Sequence, residues 1–123
     1  MTSSRFIIAE HVAAALAAGR PVVALETTLV THGLPPPHGL RVARGLEAAV
    51  REAGATPATI GILAGQVHVG LDFRGIETLA ASNAVKVNPG NLAAVVAAGI
   101  AGSTTVAATA WAAARAGIRV FAT

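Results

Sequence analysis

One glutamate stands inside an otherwise apolar segment that ends at a Gly/Pro turn. This segment covers residues 22–35, and Glu26 interrupts its apolar run. A carboxylate removed from water is costly unless it is paired or protonated, and desolvation favours the protonated form, which can donate a proton. Since open α/β sheets place their chemistry at strand ends, Glu26 is a candidate general acid. The structural alternative is a helix cap or an ion-pair partner.

Lys86 is the only lysine of the chain, whereas the eight other basic residues are arginines. It stands between Val85 and Val87, at the end of a predicted strand. Arginine stays protonated and forms planar forks, but a buried lysine can act as a compact donor, a base or a Schiff-base amine. Lys86 is therefore the second candidate for chemistry, and an accident of composition is the alternative.

Two further features of the sequence are candidate sites. Residues 102–105, Gly-Ser-Thr-Thr, are predicted to open a helix, where free N–H groups could bind a phosphate; ordinary capping by Ser103 is the alternative that the segment alone favours. The four histidines lack the spacing of a zinc site, and His32 is predicted to be a structural turn residue. No metal ligand is predicted within the chain.

These candidates need elements that position them. Apolar periodicity and glycine stops predict helices over residues 10–18, 38–53, 72–81, 91–98 and 103–116, and the side chains of Asp72, Asn91 and Ser103 are predicted to cap the last three. Short apolar runs predict strands at 21–25, 84–87 and 118–122, with a hairpin formed by 59–63 and 66–70. The second helix is expected to bury Leu40, Val42, Leu46 and Val50 and to solvate its charged residues. The alternation predicts a layered α/β/α fold with a mixed sheet.

Composition narrows the class of protein. The chain has 123 residues, of which 54% are hydrophobic and 12% charged, so it suits one folded domain. It contains no cysteine, which fits a reducing cytoplasm, and no signal peptide is predicted. Its net charge of +3 comes from scattered arginines with few aromatic residues, so no nucleic-acid partner is expected. The uncharged run 87–114 is broken by Gly, Pro and Asn, which argues against a membrane helix.

Six segments together resemble one known family, in order and at matching spacing along nearly the whole chain. They are ALETT (24–28), THGLP (31–35), GATPATI (54–60), AVKV (84–87), GSTTVAAT (102–109) and AGIRVFAT (116–123). The chain is similar to the N-terminal part of the pseudouridine-5′-phosphate glycosidases, the indigoidine synthase A-like family. The resemblance implies reversible cleavage of the C–C glycosidic bond of pseudouridine 5′-phosphate to uracil and ribose 5-phosphate, in a cytoplasmic homotrimer that uses Mn²⁺.

The resemblance also assigns roles to three residues. It implies that Glu26 is the proton donor, and that Lys86 and Val106 bind substrate. In this family a lysine attacks C1′ and the glutamate protonates the ring oxygen. The nucleophilic lysine and the metal-binding aspartate of the family belong to a segment that follows the part matched here.

The last predicted strand ends at Thr123, where an α/β domain normally continues. Residues 1–123 are therefore expected to be the N-terminal portion of a single domain, truncated mid-fold and inactive alone. The alternatives are a non-catalytic truncated product and a generic phosphate-binding α/β module.

Overall fold

A computed structural model describes residues 4–35 and 37–123 and shows an α/β protein. In this part of the chain the strands are β1 (Phe6–Ile8), β2 (Val22–Leu25), β3 (Thr56–Leu63), β4 (Gln66–Val69), β5 (Val85–Val87), β6 (Gly102–Thr104) and β7 (Val120–Ala122). The helices are α1 (Glu10–Ala17), α2 (His38–Glu52), α3 (Phe73–Ala81), α4 (Leu92–Ala98) and α5 (Val106–Ala116). A π-helical turn, Leu29–Gly33, follows β2. The α/β class is confirmed.

The sheet is mixed, and β3 is its central strand. On one side β3 pairs antiparallel with β4, which pairs in parallel with β1. On its other side it meets two strands in succession. Its first half pairs in parallel with β2, and its second half pairs antiparallel with β6. Beyond them, β7 is parallel to β2 and β5 is parallel to β6. The sheet therefore divides into two wings, β2/β7 and β6/β5.

Apolar cores cover both faces of the sheet, which confirms the layered arrangement. Ala58, Ile60 and Ile62 alternate along β3 and belong to the larger core, which also contains residues of α1, α4 and α5. On the other face, residues of α2 and α3 form a smaller core around Leu71 and Leu79. Gly61 lies on this second face, since a Cβ built there would meet both of these leucines within about 3.0 Å.

The hairpin, α1 and α3 match their predictions closely. Asp72 is the N-cap of α3 and accepts a hydrogen bond from the Gly75 amide at 2.7 Å, as expected. The hairpin turn consists of Ala64 and Gly65, both with positive φ, a conformation that twists the strands as a tight hairpin requires. The local sequence pattern was sufficient here because the residues that begin and end each of these elements lie within a few positions of it in sequence.

Two strands were missed by the sequence interpretation. β1 was not predicted, and residues 102–104 were assigned to a helix start although they form β6. Consequently Ser103 is not a helix cap: Thr105 is the N-cap of α5, and its hydroxyl accepts a hydrogen bond from the Ala108 amide. A three-residue strand made of Gly, Ser and Thr carries neither apolar alternation nor β-branched runs, so its pairing with β3 and β5 decides its structure.

The buried side of α2 also differs from expectation. The helix buries Gly39, Ala43 and Glu47, while Leu46 is exposed. Gly39 is required by close packing, because a Cβ there would lie 2.3 Å from the Val30 carbonyl oxygen. Glu47 was expected in solvent, but its Oε2 accepts a hydrogen bond from the Thr59 hydroxyl at 2.5 Å and its Oε1 pairs with Arg51.

The uncharged run of residues 87–114 is divided among α4, β6 and α5. Across residues 4–35 and 37–123, no helix combines the length and hydropathy that a bilayer span requires.

Candidate active site

Four hydrogen bonds hold the point where the two wings of the sheet separate, three between a threonine hydroxyl and the backbone and one between two threonine hydroxyls. The hydroxyls of Thr27 and Thr104 both donate to the Ile60 carbonyl oxygen, at 2.8 and 2.7 Å. The Thr104 amide donates to Thr27 Oγ1 at 2.9 Å, and Thr109 Oγ1 donates to Thr104 Oγ1 at 2.8 Å. All three threonines are fully buried. We call Thr27, Thr104 and Thr109, with the Ile60 carbonyl, the threonine junction.

Glu26 lies directly beside this junction, at the carboxyl end of β2, as predicted. Leu25 is in register with Ala122 of β7, and the Thr123 hydroxyl donates a hydrogen bond to Glu26 Oε1. The side chain is partly exposed, so the expectation of a carboxylate enclosed by apolar neighbours is wrong. The strand ends before Glu26, and the following residues turn away into the π-helical turn. Glu26 is thus held at the rim of the sheet break and not inside the core.

Lys86 lies on the other wing and differs from its prediction in two respects. It occupies the middle of β5, not its end, and it is exposed, not buried. Its backbone is in register with Ser103 of β6, and its carbonyl oxygen accepts a hydrogen bond from Asn91 Nδ2 at 3.1 Å. A solvated ammonium on a rigid strand suits the binding of an anionic group better than the role of a deprotonated amine.

Val106 is the first residue of α5 and is 48% exposed. The preceding residue, Thr105, donates its amide to the Val87 carbonyl oxygen at 3.0 Å, which ties the start of the helix to the end of β5. Amide groups in the first turn of a helix have no partner within the helix and favour anions. The predicted helix start is therefore present, but α5 begins after β6, with Thr105 and not Ser103 as its N-cap.

The Asn88-Pro89-Gly90-Asn91 turn holds the end of β5 in place. Asn88 Oδ1 accepts hydrogen bonds from the amides of Gly90 and Asn91, and Asn91 Oδ1 accepts one from the Asn88 amide. Asn91 was predicted to cap α4 with its side chain. It occupies the N-cap position, but the side chain instead bonds to Asn88 and Lys86, so this part of the prediction is wrong.

The junction links the segments that carry the three predicted site residues. The Thr27 amide donates to the Thr104 carbonyl oxygen at 3.4 Å, so residue 26 and residues 105–106 flank one backbone contact. Lys86 is joined to this contact through the backbone pairing of β5 with β6, in which it lies opposite Ser103. The sequence predicted roles for Glu26, Lys86 and Val106 but gave no role to the threonines of the junction. The only signal for them was three threonines within residues 104–109 and two at 27–28.

Two hydroxyl groups near the junction have no hydrogen-bond partner among the described residues. They belong to Thr28 and to Ser103, and both oxygen atoms are buried. A buried hydroxyl without a partner loses the hydrogen bonds that water would supply, which costs on the order of 1–3 kcal/mol. The region around the break therefore contains polar groups that are not matched within this part of the chain.

The histidines and acidic residues do not form a metal site here. No group of three or more His, Asp or Glu side chains with the geometry to hold a cation occurs in residues 4–35 and 37–123. His68 in β4 has a pKa below its ordinary value because burial disfavours the charged ring, and the nearby Asp72 carboxylate partly opposes that effect.

The fold and the site together define an α/β protein whose polar residues gather at a break in a mixed sheet. The chain belongs to the indigoidine synthase A-like family, because residues 11–123 match the family described as "Indigoidine synthase A like protein". The membership suggested by the six sequence segments is confirmed.

Named relatives agree with this assignment. The pseudouridine-5′-phosphate glycosidase of Saccharopolyspora erythraea is 57% identical over 118 residues, which are 95% of this chain and 39% of that protein. The enzyme of the same name from Rhodospirillum centenum is 58% identical over 113 residues, 92% of this chain and 35% of its own length. The chain therefore spans less than half the length of these relatives.

Two solved structures share the fold. The prealnumycin C-glycosynthase AlnA, crystallised with ribulose 5-phosphate, is 42% identical with a TM-score of 0.85 and aligns with 99% of this chain and 39% of its own. An indigoidine synthase A-like protein from Thermotoga maritima is 34% identical with a TM-score of 0.84, covering 100% of this chain and 41% of its own. The wings and the junction thus lie within a fold that similar proteins build from longer chains.

Proposed function

We propose that these residues form the N-terminal part of a pseudouridine-5′-phosphate glycosidase, which reversibly cleaves the C–C glycosidic bond of its substrate to uracil and ribose 5-phosphate. The observation that carries the proposal is the backbone contact at the threonine junction. It joins the residue after Glu26 to β6, the strand that leads into Val106 and pairs with the strand of Lys86. Relatives more than half identical over this region are named for that reaction, and a solved relative holds a sugar phosphate.

The chemistry of the bond fits the residues present. A C–C glycosidic bond has no leaving oxygen to protonate, so the usual scheme of two carboxylates does not apply. Opening the ribose ring instead requires an amine to attack C1′ while the C1′–O4′ bond breaks and O4′ takes a proton. Glu26 is the proposed donor of that proton. Its position at a strand end, held by Thr123, fixes the carboxyl group while leaving it accessible.

Lys86 and Val106 are the proposed substrate-binding residues. The exposed ammonium of Lys86 supplies a positive charge for the phosphate or another electron-rich group of the substrate. The start of α5 at Val106 supplies backbone amide groups that favour the same negative charge. Because Lys86 is the only lysine of the chain, assigning it to binding means that the attacking amine comes from elsewhere.

Additional residues complete the proposed enzyme. The relatives continue well beyond the matched part, and we propose that this continuation supplies the nucleophilic lysine and the Mn²⁺ ligands, which the described residues do not assemble. Residues 1–123 would then be the N-terminal portion of one domain. A cytoplasmic homotrimer is the corresponding proposal for assembly and location, and the absence of cysteine is compatible with it.

A chimera tests this proposal. Residues 1–123 are joined to the remaining portion of the Saccharopolyspora erythraea relative, and release of uracil from pseudouridine 5′-phosphate is followed with Mn²⁺ present. We expect turnover, with a loss of at least about a hundredfold in kcat for Glu26→Gln, the usual scale for a general acid. Glu52→Gln is the matched control: Glu52 is exposed at the end of α2, the substitution makes the same change of carboxylate to amide, and activity should be retained.

The alternative outcomes separate the competing functions. An active chimera whose Glu26→Gln variant turns over normally would remove Glu26 from the mechanism. A folded chimera that binds ribose 5-phosphate without releasing uracil would instead favour a phosphate-binding module, the second class considered from the sequence.

A further inference from the structure

A concave surface lies near β1, on the face of the sheet that α4 and α5 cover. It is a groove of about 570 Å³ between the start of β1, α4 and α5. Its apolar lining comes from Phe6, Val67, Leu92, Val96 and Trp111. This volume falls within the range of small-molecule sites, which is roughly 300–1,000 Å³. None of the three proposed active-site residues contributes to it.

Two aromatic rings form part of the groove. The rings of Phe6 and Trp111 pack edge to face, with centroids 6.3 Å apart and planes inclined by 79°. Trp111 remains 39% exposed even though it is the largest side chain of the chain. The pair therefore presents a rigid aromatic surface to whatever enters the groove.

The groove also carries two guanidinium groups and no carboxylate among its lining residues. Arg5 crosses from β1 to α4, where its Nη1 donates to the Val96 carbonyl oxygen at 3.2 Å. The Arg115 guanidinium lies 5.2 Å from the centre of the Trp111 ring, within the range of a cation–π contact. Within the described residues the ion pair found is Arg51 with Glu47, so neither groove arginine is neutralised by an acid there.

We infer that this groove is a binding site for a small organic anion with a flat apolar body, of the aromatic carboxylate class. The apolar lining and the Phe6–Trp111 pair accept the flat body, and Arg5 and Arg115 accept the charged group. Arginine suits this role because its planar fork matches a carboxylate and it also stacks on aromatic rings. The inference does not depend on the proposed glycosidase reaction, since the groove and the junction share no residue.

Trp111 is the only tryptophan, so its indole N–H gives a single reporter signal in a ¹H–¹⁵N spectrum of the full chain. We would titrate the chain with 2-naphthoate and, as the uncharged match, 2-naphthamide. Naphthoate should shift the Trp111 signal in a saturable manner and bind at least about tenfold more tightly than the amide, because two charge-assisted contacts are lost with the charge.

Two double variants distinguish the effect of the groove arginines from the effect of the net charge of the chain. In Arg5→Gln/Arg115→Gln the preference for naphthoate over naphthamide should fall to within about twofold. Arg20→Gln/Arg119→Gln removes the same two charges from exposed positions outside the groove and should preserve the preference. Should the groove double variant fail to fold, Arg115→Gln alone, on the exposed side of α5, should still lower the preference several-fold.

Three results would overturn the inference. The first is a Trp111 signal that does not respond to naphthoate. The second is equal affinity for naphthoate and naphthamide, or a preference for naphthoate that survives Arg5→Gln/Arg115→Gln. Either result would mean that the groove arginines do not select anions. The third is naphthoate binding that weakens as the protein concentration rises, because competition of this kind would place a second copy of the chain in the groove.

Discussion

Thr27 and Thr104 donate their hydroxyl hydrogens to the same acceptor, the carbonyl oxygen of Ile60. They are 77 residues apart in sequence and belong to different wings of the sheet. Along the edge of β3, β2 has ended and β6 has not yet begun to pair at this point. The two hydroxyls satisfy a backbone carbonyl that a continuous strand would otherwise have bonded, and so they allow the sheet to divide beside Glu26.

The first prediction follows from that arrangement. Thr27→Val keeps the shape of the side chain but removes the acceptor of the Thr104 amide, leaving a buried N–H without a partner. We expect a loss of about 2–3 kcal/mol in the free energy of unfolding, measured by urea titration. Thr78→Val is the matched control, because Thr78 is exposed and its hydroxyl bonds within its own helix; its effect should stay below about 0.5 kcal/mol. Equal effects of the two substitutions would show that the junction contributes nothing particular.

Lys86 gives the second prediction, which concerns the proposed division between binding and covalent chemistry. In the chimera, Lys86→Gln should raise KM by at least about tenfold, the scale of one charge-assisted hydrogen bond, while kcat changes far less. Borohydride reduction in the presence of ribose 5-phosphate should label a lysine outside residues 1–123. A reduced adduct on the Lys86 peptide would make Lys86 the nucleophile and reverse the assignment.

The helices and the hairpin could be predicted from sequence because their determinants are local. Gly19 ends α1 with a positive φ, Asp72 caps α3, and Ala64-Gly65 closes the hairpin. Glu26 could be located for a similar reason: the apolar run of β2 stops directly before it. Each of these conclusions depends on residues within one turn or one strand.

The threonine junction and the buried role of Glu47 could not be predicted in this way. Glu47 is buried because Thr59, on a different element, donates a hydrogen bond to it. β6 exists because β3 and β5 pair with it, although Gly102-Ser103-Thr104 has little strand propensity of its own. Exposure of Lys86 likewise depends on the fact that no other described strand pairs with the outer edge of β5. The burial of Glu47, the formation of β6 and the exposure of Lys86 all depend on contacts between residues distant in sequence, which local patterns do not encode.

His68 leads to the third prediction, on the pH dependence of stability. Burial lowers the pKa of this histidine in the folded state, with His11 and the opposing Asp72 carboxylate lining the same cavity. The unfolded chain, with a pKa of about 6.5, therefore takes up a proton before the folded chain does. Above about pH 6.5, His68 is neutral in both states and does not lower the free energy of unfolding. As the pH falls below that value, protonation of the unfolded chain lowers the free energy of unfolding.

Urea unfolding at several pH values between about 7.5 and 5 tests this expectation, since that window lies above the usual range of carboxyl groups. The free energy of unfolding should decline toward the acidic end, and His68→Gln should flatten the slope. His32→Gln, in the exposed part of the π-helical turn, is the matched control and should keep the slope of the original chain. An unchanged slope in His68→Gln would assign the pH dependence to other groups.

The last prediction concerns the 123-residue chain studied by itself. In the described structure, β7 pairs only with β2, and β5 pairs only with β6, so both wings end in a strand edge with unbonded backbone groups. Val120 on β7 is 56% exposed and Val85 on β5 is 39% exposed. Open edges with apolar side chains invite pairing between chains. We expect the isolated chain to release no uracil from pseudouridine 5′-phosphate and to self-associate, as measured by sedimentation velocity over a range of concentrations.

Lysine substitutions distinguish association through the strand edges from association through other exposed apolar side chains. Val85→Lys/Val120→Lys places charges on the edge strands of the two wings, which opposes intermolecular pairing there, and should shift the chain toward the monomer. Leu46→Lys adds a charge at an exposed apolar residue of α2 and should leave the association largely unchanged. Association that both variants reduce equally would point to net charge as its cause. A monodisperse chain of 123 residues with full turnover would show that the wings need no further polypeptide, and the proposed division of catalytic residues between this chain and a longer continuation would then be wrong.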